Sequence, residues 1–302
     1  MKFFPVLVLF TTAVLSSVPV SPEEKATLKD YARFSSISSC LAPRILGWDC
    51  GTLCSELPDV EALMYFKTDK TDGVGYIARR GTDELLVVFR ASSTLLNWIY
   101  NLEVLQEQVP WNVEIDPAIM VHSGFYRTYM SIAESVRLGV QTYLEDGMRV
   151  TFVGHSLGGA LATLALCDLV QQGIVTVPRS RLVTFGSPRV GNAAWTLYFQ
   201  TRFSPISTRV VNKRDVVPHL PPLNPVIPYF QVTREWWFEA KQRGWKCSAE
   251  NPEDPQCSNQ YSLYLVDDHF YFEDVIFGCA PQELPFQNAI VEDARRQRQA
   301  KL

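Results

Sequence analysis

A chain of 302 residues, 47% hydrophobic and without repeats or low-complexity breaks, can bury a large core, and one main domain is expected. A net charge of −4 with no basic face argues against nucleic-acid binding. Past Ser17 no apolar run is long enough to cross a bilayer, so no transmembrane segment is expected.

At the N-terminus, Lys2 is followed by an apolar run from Phe3 to Phe10, then Ala13-Val14-Leu15 and the small pair Ser16-Ser17. That order of charge, apolar stretch and small residues predicts a signal peptide over 1–17 and a secreted, extracellular protein. The domain is expected over 18–280, with 281–302 as a solvated tail carrying Arg295, Arg296, Arg298 and Lys301. Ser21-Pro22-Glu23-Glu24 predicts a helix start, with Ser21 as cap and Glu24 closing a capping box. Tyr31, Phe34 and Ile37 give that helix an apolar stripe to lay on the back of a sheet. Apolar runs at 74–78 and 85–89 flank Arg80-Gly81-Thr82-Asp83, a hairpin pattern.

Leu95, Trp98, Ile99 and Leu102 then fall on one face of a short amphipathic helix. A helix is expected from Tyr126 to about Glu145. Val150 to Val153 form a strand that breaks at Gly154-His155-Ser156-Leu157-Gly158-Gly159 and continues as an Ala/Leu-rich helix. Gly-x-Ser-x-Gly between strand and helix presents a serine on a sharp turn, where the flanking backbone must pass closely without a β-carbon. The rival explanation is a serine that merely caps the helix. Strands at 181–185 and 208–212, with a helix between them ending near Phe203, predict a mostly parallel sheet covered on both faces. Tyr229 to Phe238 is expected as an added edge strand.

A nucleophilic Ser156 needs a histidine base and a carboxylate to orient it. Of the four histidines, His155 is thrown away from its neighbour by the turn, His122 enters a helix, and His219 lies in a proline-rich segment. His269, late in the chain, fits the order serine, acid, histidine. Asp215, just past the strand that ends at Asn212, is the expected acid; Asp267 and Asp268 compete, as does a solvated Asp215 paired with Lys213 or Arg214.

Seven cysteines in a secreted chain imply a disulfide framework with one thiol over, expected at Cys167. The other six allow 15 connectivities. Cys50–Cys54 and Cys247–Cys257 are the simplest local pairs, leaving Cys40–Cys279. A metal half-site at Cys50 and Cys54 lacks matching ligands, so neither metal nor cofactor is expected. The chain contains no Asn-x-Ser/Thr sequon.

The motifs Val88-Phe89-Arg90-Ala91-Ser92 with Asn97-Trp98, Val121-His122-Ser123-Gly124-Phe125, Gly154 to Gly159, Gly186 to Asn192, Val211-Asn212 with Asp215, and Asp268-His269 together resemble the secreted fungal class 3 lipases and their feruloyl-esterase relatives. The resemblance runs from about Tyr31 to Cys279. It implies an α/β-hydrolase fold with a mostly parallel central sheet, helices on both faces and a short helical lid. It also implies Ser156, Asp215 and His269 as catalytic triad, and Ser92 and Leu157 as oxyanion donors. The cysteine pairing above is similar to one in the family.

By the same resemblance the lid covers Leu95, Leu96, Trp98 and Ile99. Uncovering ~400 Å² of such surface in water would cost about 10 kcal/mol at ~25 cal/mol per Å², a cost that a lipid surface removes. The expected function is hydrolysis of triacylglycerols and partial glycerides at a lipid–water interface, by a monomer. The alternatives are a phospholipase A1 or galactolipase, a feruloyl-type esterase, or a lipid-binding pseudo-hydrolase. Two positions depart from the family pattern: Ala91 stands where glycine is usual, and Gln231 where many relatives carry histidine.

Overall fold

The computed structural model describes residues 17–92, 104–109, 116–239 and 243–279. The expected signal peptide, apart from Ser17, the lid residues and the 281–302 tail lie outside the described residues.

The strands follow in chain order as β1 (Val18–Pro19), β2 (Val60–Lys67), β3 (Val74–Arg80), β4 (Glu84–Phe89), β5 (Gln106–Gln108), β6 (Met120–His122), β7 (Arg149–His155), β8 (Ser180–Phe185), β9 (Ser207–Asn212), β10 (Glu235–Phe238), β11 (Gly244–Lys246), β12 (Tyr271–Phe272) and β13 (Val275–Ile276). Nine of them form one sheet in the order β1-β11-β10-β9-β8-β7-β4-β3-β2. Its centre, β4-β7-β8-β9-β10, is parallel, and the flanks are antiparallel. This is the α/β-hydrolase architecture.

Alternation along the strands feeds a core on each face. Leu85, Val87, Phe89 and Phe152 pack against the helix Leu157–Gln171, whose residues are buried without a break from Leu157 to Leu169. Leu86, Val88, Val153 and Val210 face the other way, toward Leu28, Phe34 and Ile37 of the helix Pro22–Ile37. That helix starts as the sequence predicts, with Ser21 and Glu24 in a reciprocal capping box. In the central helix the buried Asp168 carboxylate is matched by Arg137 at 2.7 and 2.8 Å and by the Tyr129 hydroxyl, as a buried charge requires.

Three expectations are corrected. The helix expected from Tyr126 to Glu145 is two, Ser123–Met130 and Ala133–Tyr143; the break falls where Ser131 turns its hydroxyl onto the Thr128 carbonyl and Ile132 leaves helical geometry. The edge strand expected from Tyr229 is shorter and more interior. Only Glu235–Phe238 is a strand, between β9 and β11, because Phe230 and Gln231 are bonded instead to the Gly191 and Ser187 loops.

The third concerns cysteines. Cys40–Cys279 and Cys247–Cys257 are disulfides, but Cys50 and Cys54 are separate buried thiols, as is Cys167. The Cys50 thiol donates to the Arg44 carbonyl. It lies ahead of Gly51 (φ 64°), which reverses the backbone before the helical turn that carries Cys54.

Candidate active site

At the carboxyl end of β7 the chain turns through Ser156 (φ 58°, ψ −128°) directly into the central helix. A serine in this region of backbone space costs about 1–3 kcal/mol, and such strain persists only where the surroundings impose it. The surroundings here are backbone. A β-carbon on Gly154 would stand 2.1 Å from the Gly158 carbonyl oxygen, and one on Gly158 would stand 2.2 Å from that of Phe89. The Ser156 N–H donates to the Phe185 carbonyl at 2.9 Å. Its hydroxyl makes no capping bond, so the rival explanation for the motif fails.

Asp215 follows the end of β9 and is 2% exposed, far from the solvated carboxylate that was its alternative. One oxygen accepts the Val217 N–H at 2.9 Å. Both face His269 Nδ1, at 2.9 and 2.8 Å. A carboxylate can only accept, so Nδ1 carries the hydrogen. Ser156 Oγ and His269 Nε2 are both buried, each without a hydrogen-bond partner among the described residues. Without substrate, such catalytic contacts are often long.

The loop after β8 closes the site from one side. Gly186 has φ 53°, and a β-carbon there would lie 2.6 Å from Asp215 Oδ2 and 2.7 Å from the His269 ring. Asp268 accepts instead from the Arg214 N–H and the Tyr271 hydroxyl, and so is turned away from the imidazole. Ser92 Oγ donates to Asp72 Oδ2 at 2.8 Å. Leu157 opens the central helix, where N–H groups have no acceptor within the helix. Gly158 sits against Phe89 and Arg90 at the end of β4, which sets the Ala91-Ser92 segment beside the serine turn.

His122 and His219 are structural. His122 Nδ1 accepts from the N–H groups of Gly124 and Phe125 at the start of a helix. His219 stacks on Tyr264 at 3.8 Å; burial, then the nearby Arg189 charge, push its pKa down to about 3. Glu235, Cys247 and Cys257 lie within reach of one another, but both sulfurs are in the disulfide. Glu235 is bonded to Ser258 and faces Arg209, so the cluster offers no thiolate.

Three contributors escaped the sequence reading. Gln231 Nε2 donates to the carbonyls of Ser187 (3.1 Å) and Pro218 (2.8 Å), joining the turn after β8 to the turn after Asp215. Asn212 Nδ2 donates to the carbonyls of Asp268 (2.9 Å) and Tyr271 (3.0 Å), clamping the segment that carries His269. The third is His155, whose ring lies 4.3 Å from that of His269. A polar residue between Val211 and Lys213 at a strand end was a readable signal for Asn212; Gln231 stood out only as a departure from the family pattern, with no role assigned.

A serine on a strained strand-to-helix turn, with an aspartate–histidine pair at the carboxyl edge of a parallel sheet, defines the serine hydrolase class of α/β-hydrolases. Residues 86–224 match the model of the class 3 lipase family. The chain is 33% identical over 199 residues to a lipase of Rhizomucor miehei, the alignment covering 63% of this chain and 52% of that protein. It is 29% identical over 231 residues to secreted mono- and diacylglycerol lipase 1 of Fusarium solani, covering 74% of this chain and 66% of that one. The Rhizomucor miehei lipase–propeptide complex superposes with a TM-score of 0.78 at 29% identity, over 87% of this chain and 85% of that chain. The matches span between half and two thirds of these two relatives' length. Over these residues the chain is similar to the class 3 lipases.

Proposed function

We propose that this chain is a secreted, serine-dependent ester hydrolase that cleaves acylglycerols, triacylglycerols included, at a lipid–water interface, working as a monomer without metal or cofactor. The observation that carries the proposal is the His269–Asp215 pair at 2.8–2.9 Å, at the same carboxyl edge of the sheet as the strained Ser156 turn.

In this mechanism His269 Nε2 takes the Ser156 proton as Oγ attacks the ester carbonyl. Asp215 holds the ring in the required tautomer and stabilises the imidazolium. Donors from Leu157 and Ser92 face the oxyanion. His269 returns the proton to the leaving alkoxide, and water then releases the acid from Ser156 by the same route. Two disulfides support an oxidising, extracellular setting. No described helix is long and apolar enough to cross a membrane. The apolar sequence at Leu95, Leu96, Trp98 and Ile99 supports action on lipid aggregates rather than on dissolved esters.

The test is acid release from emulsified long-chain triacylglycerol, a dissolved short-chain ester, a phospholipid dispersion and methyl ferulate, beside Ser156→Ala. A rate that rises as the glyceride passes its solubility limit, and disappears in the variant, is expected. Preference for phospholipid or ferulate would keep the triad and overturn the substrate; turnover unchanged in Ser156→Ala would overturn both.

A further inference from the structure

His155 precedes the candidate nucleophile, yet its side chain serves the base. It is 4% exposed, and its Nε2 lies 2.8 Å from the backbone carbonyl oxygen of His269. A carbonyl can only accept, so His155 Nε2 carries the hydrogen. The His155 ring lies between two others: His269 at 4.3 Å between centroids, and Phe277, stacked at 3.8 Å and 11°.

Phe277 is itself fixed. Its N–H donates to the Phe270 carbonyl at 2.8 Å. The β12–β13 hairpin before it is tied to the first helix by the Ser36 hydroxyl, which donates to the Ile276 carbonyl, and the Cys40–Cys279 bond anchors the chain two residues after Phe277. His269 sits on a single helical turn, Asp267–His269, whose flanking carbonyls of Asp268 and Tyr271 are held by Asn212. The His269 backbone N–H is bonded only locally, to Val266.

We propose that His155 is a positioning residue for the base: its Nε2–H, aimed by the stacking of its ring on Phe277, holds the His269 carbonyl and so fixes the His269 imidazole relative to Ser156. The proposal rests on the reading of His269 as the base. The serine turn then carries two functions on adjacent residues. One side chain presents the nucleophile, and the other reaches through the site to hold its partner. Burial, and next the proximity of His269, push the His155 pKa well below its ordinary value, consistent with a ring that remains neutral while its neighbour gains and loses the proton.

The experiment uses the full chain on a dissolved short-chain ester, comparing His155→Phe (ring kept, donor lost), His155→Gln (donor kept) and His269→Ala. His155→Phe is expected to lower kcat by about 10- to 100-fold with KM within about twofold, since misplacing a catalytic group by up to about 1 Å can cost on that order. It should also broaden or abolish the low-field Nδ1–H proton resonance of the His269–Asp215 pair. His155→Gln should recover most of both. Wild-type kcat and resonance in His155→Phe, or equal losses in Phe and Gln, would overturn the proposal. In the wild-type protein, imidazole 15N shifts should show His155 as the neutral Nε2–H tautomer, and the Nδ1–H tautomer would overturn it without recourse to any variant. Activity surviving in His269→Ala would instead overturn the triad reading, so the two failures are distinguishable.

Discussion

Gly154 and Gly158 touch across the serine turn: a β-carbon on the first would lie 2.1 Å from the carbonyl oxygen of the second. Backbone cannot retreat as a flexible side chain can, so Gly154→Ala must move Ser156 or the start of the central helix. A displacement near 1 Å costs about 100-fold in rate. Gly154→Ala protein that folds should therefore lose at least about that factor in kcat on a dissolved ester. Near-wild-type kcat would show that the turn tolerates more space than the contact allows.

The Gln231 amide donates to two buried carbonyls on separate turns. Gln231→Leu would leave the Ser187 and Pro218 carbonyls without this donor, a loss of roughly 1–3 kcal/mol. Denaturant unfolding should report that loss. Gln231→His, which keeps one donor, should lose less, and equal losses would refute the bracing role.

His219 gives a pH dependence with a definite sign. Its folded-state pKa is depressed from the ordinary 6.5 to about 3, so between these values the unfolded chain binds a proton that the folded chain does not. Stability contributed by this group is then present above pH 6.5 and is lost as pH falls, by about 1.4 kcal/mol per pH unit. His219→Phe preserves an aromatic ring opposite Tyr264 and removes the titration. The difference in unfolding free energy between wild type and variant should slope by about that amount between pH 6 and pH 4, and parallel curves would contradict it.

The cysteines allow a direct count. With Cys50, Cys54 and Cys167 free, the denatured, unreduced protein should react with three equivalents of a thiol reagent, and the native protein should react slowly because all three are buried. One equivalent after denaturation would show Cys50 and Cys54 joined, as their spacing in the sequence suggests.

Much of this arrangement was legible before the structure because local patterns reported it. Gly154-x-Ser156-x-Gly158 between an apolar strand and an apolar helix marks a turn whose sterics leave few alternatives. Asp215 was read from its place after a parallel strand and His269 from chain order, and the structure brings the two within hydrogen-bond distance. What escaped were long-range relationships without periodicity. His155 was set aside because adjacent side chains on a turn diverge; that is correct, and divergence is what carries it to the His269 carbonyl, 114 residues away in sequence. The 229–238 segment reads as one strand by composition, but hydrogen bonds to Gly191 and Ser187 take its first half out of the sheet.

The central claim is that Ser156, activated by His269 and Asp215, forms the acyl-enzyme. Its most direct test is labelling with a long-chain alkyl phosphonate ester, followed by mass spectrometry of the digested protein. The account predicts one adduct, on the peptide bearing Ser156, with loss of esterase activity in proportion to labelling, no adduct in Ser156→Ala and very slow labelling in His269→Ala. An adduct on another residue with parallel loss of activity, or labelling undiminished in His269→Ala, would contradict it.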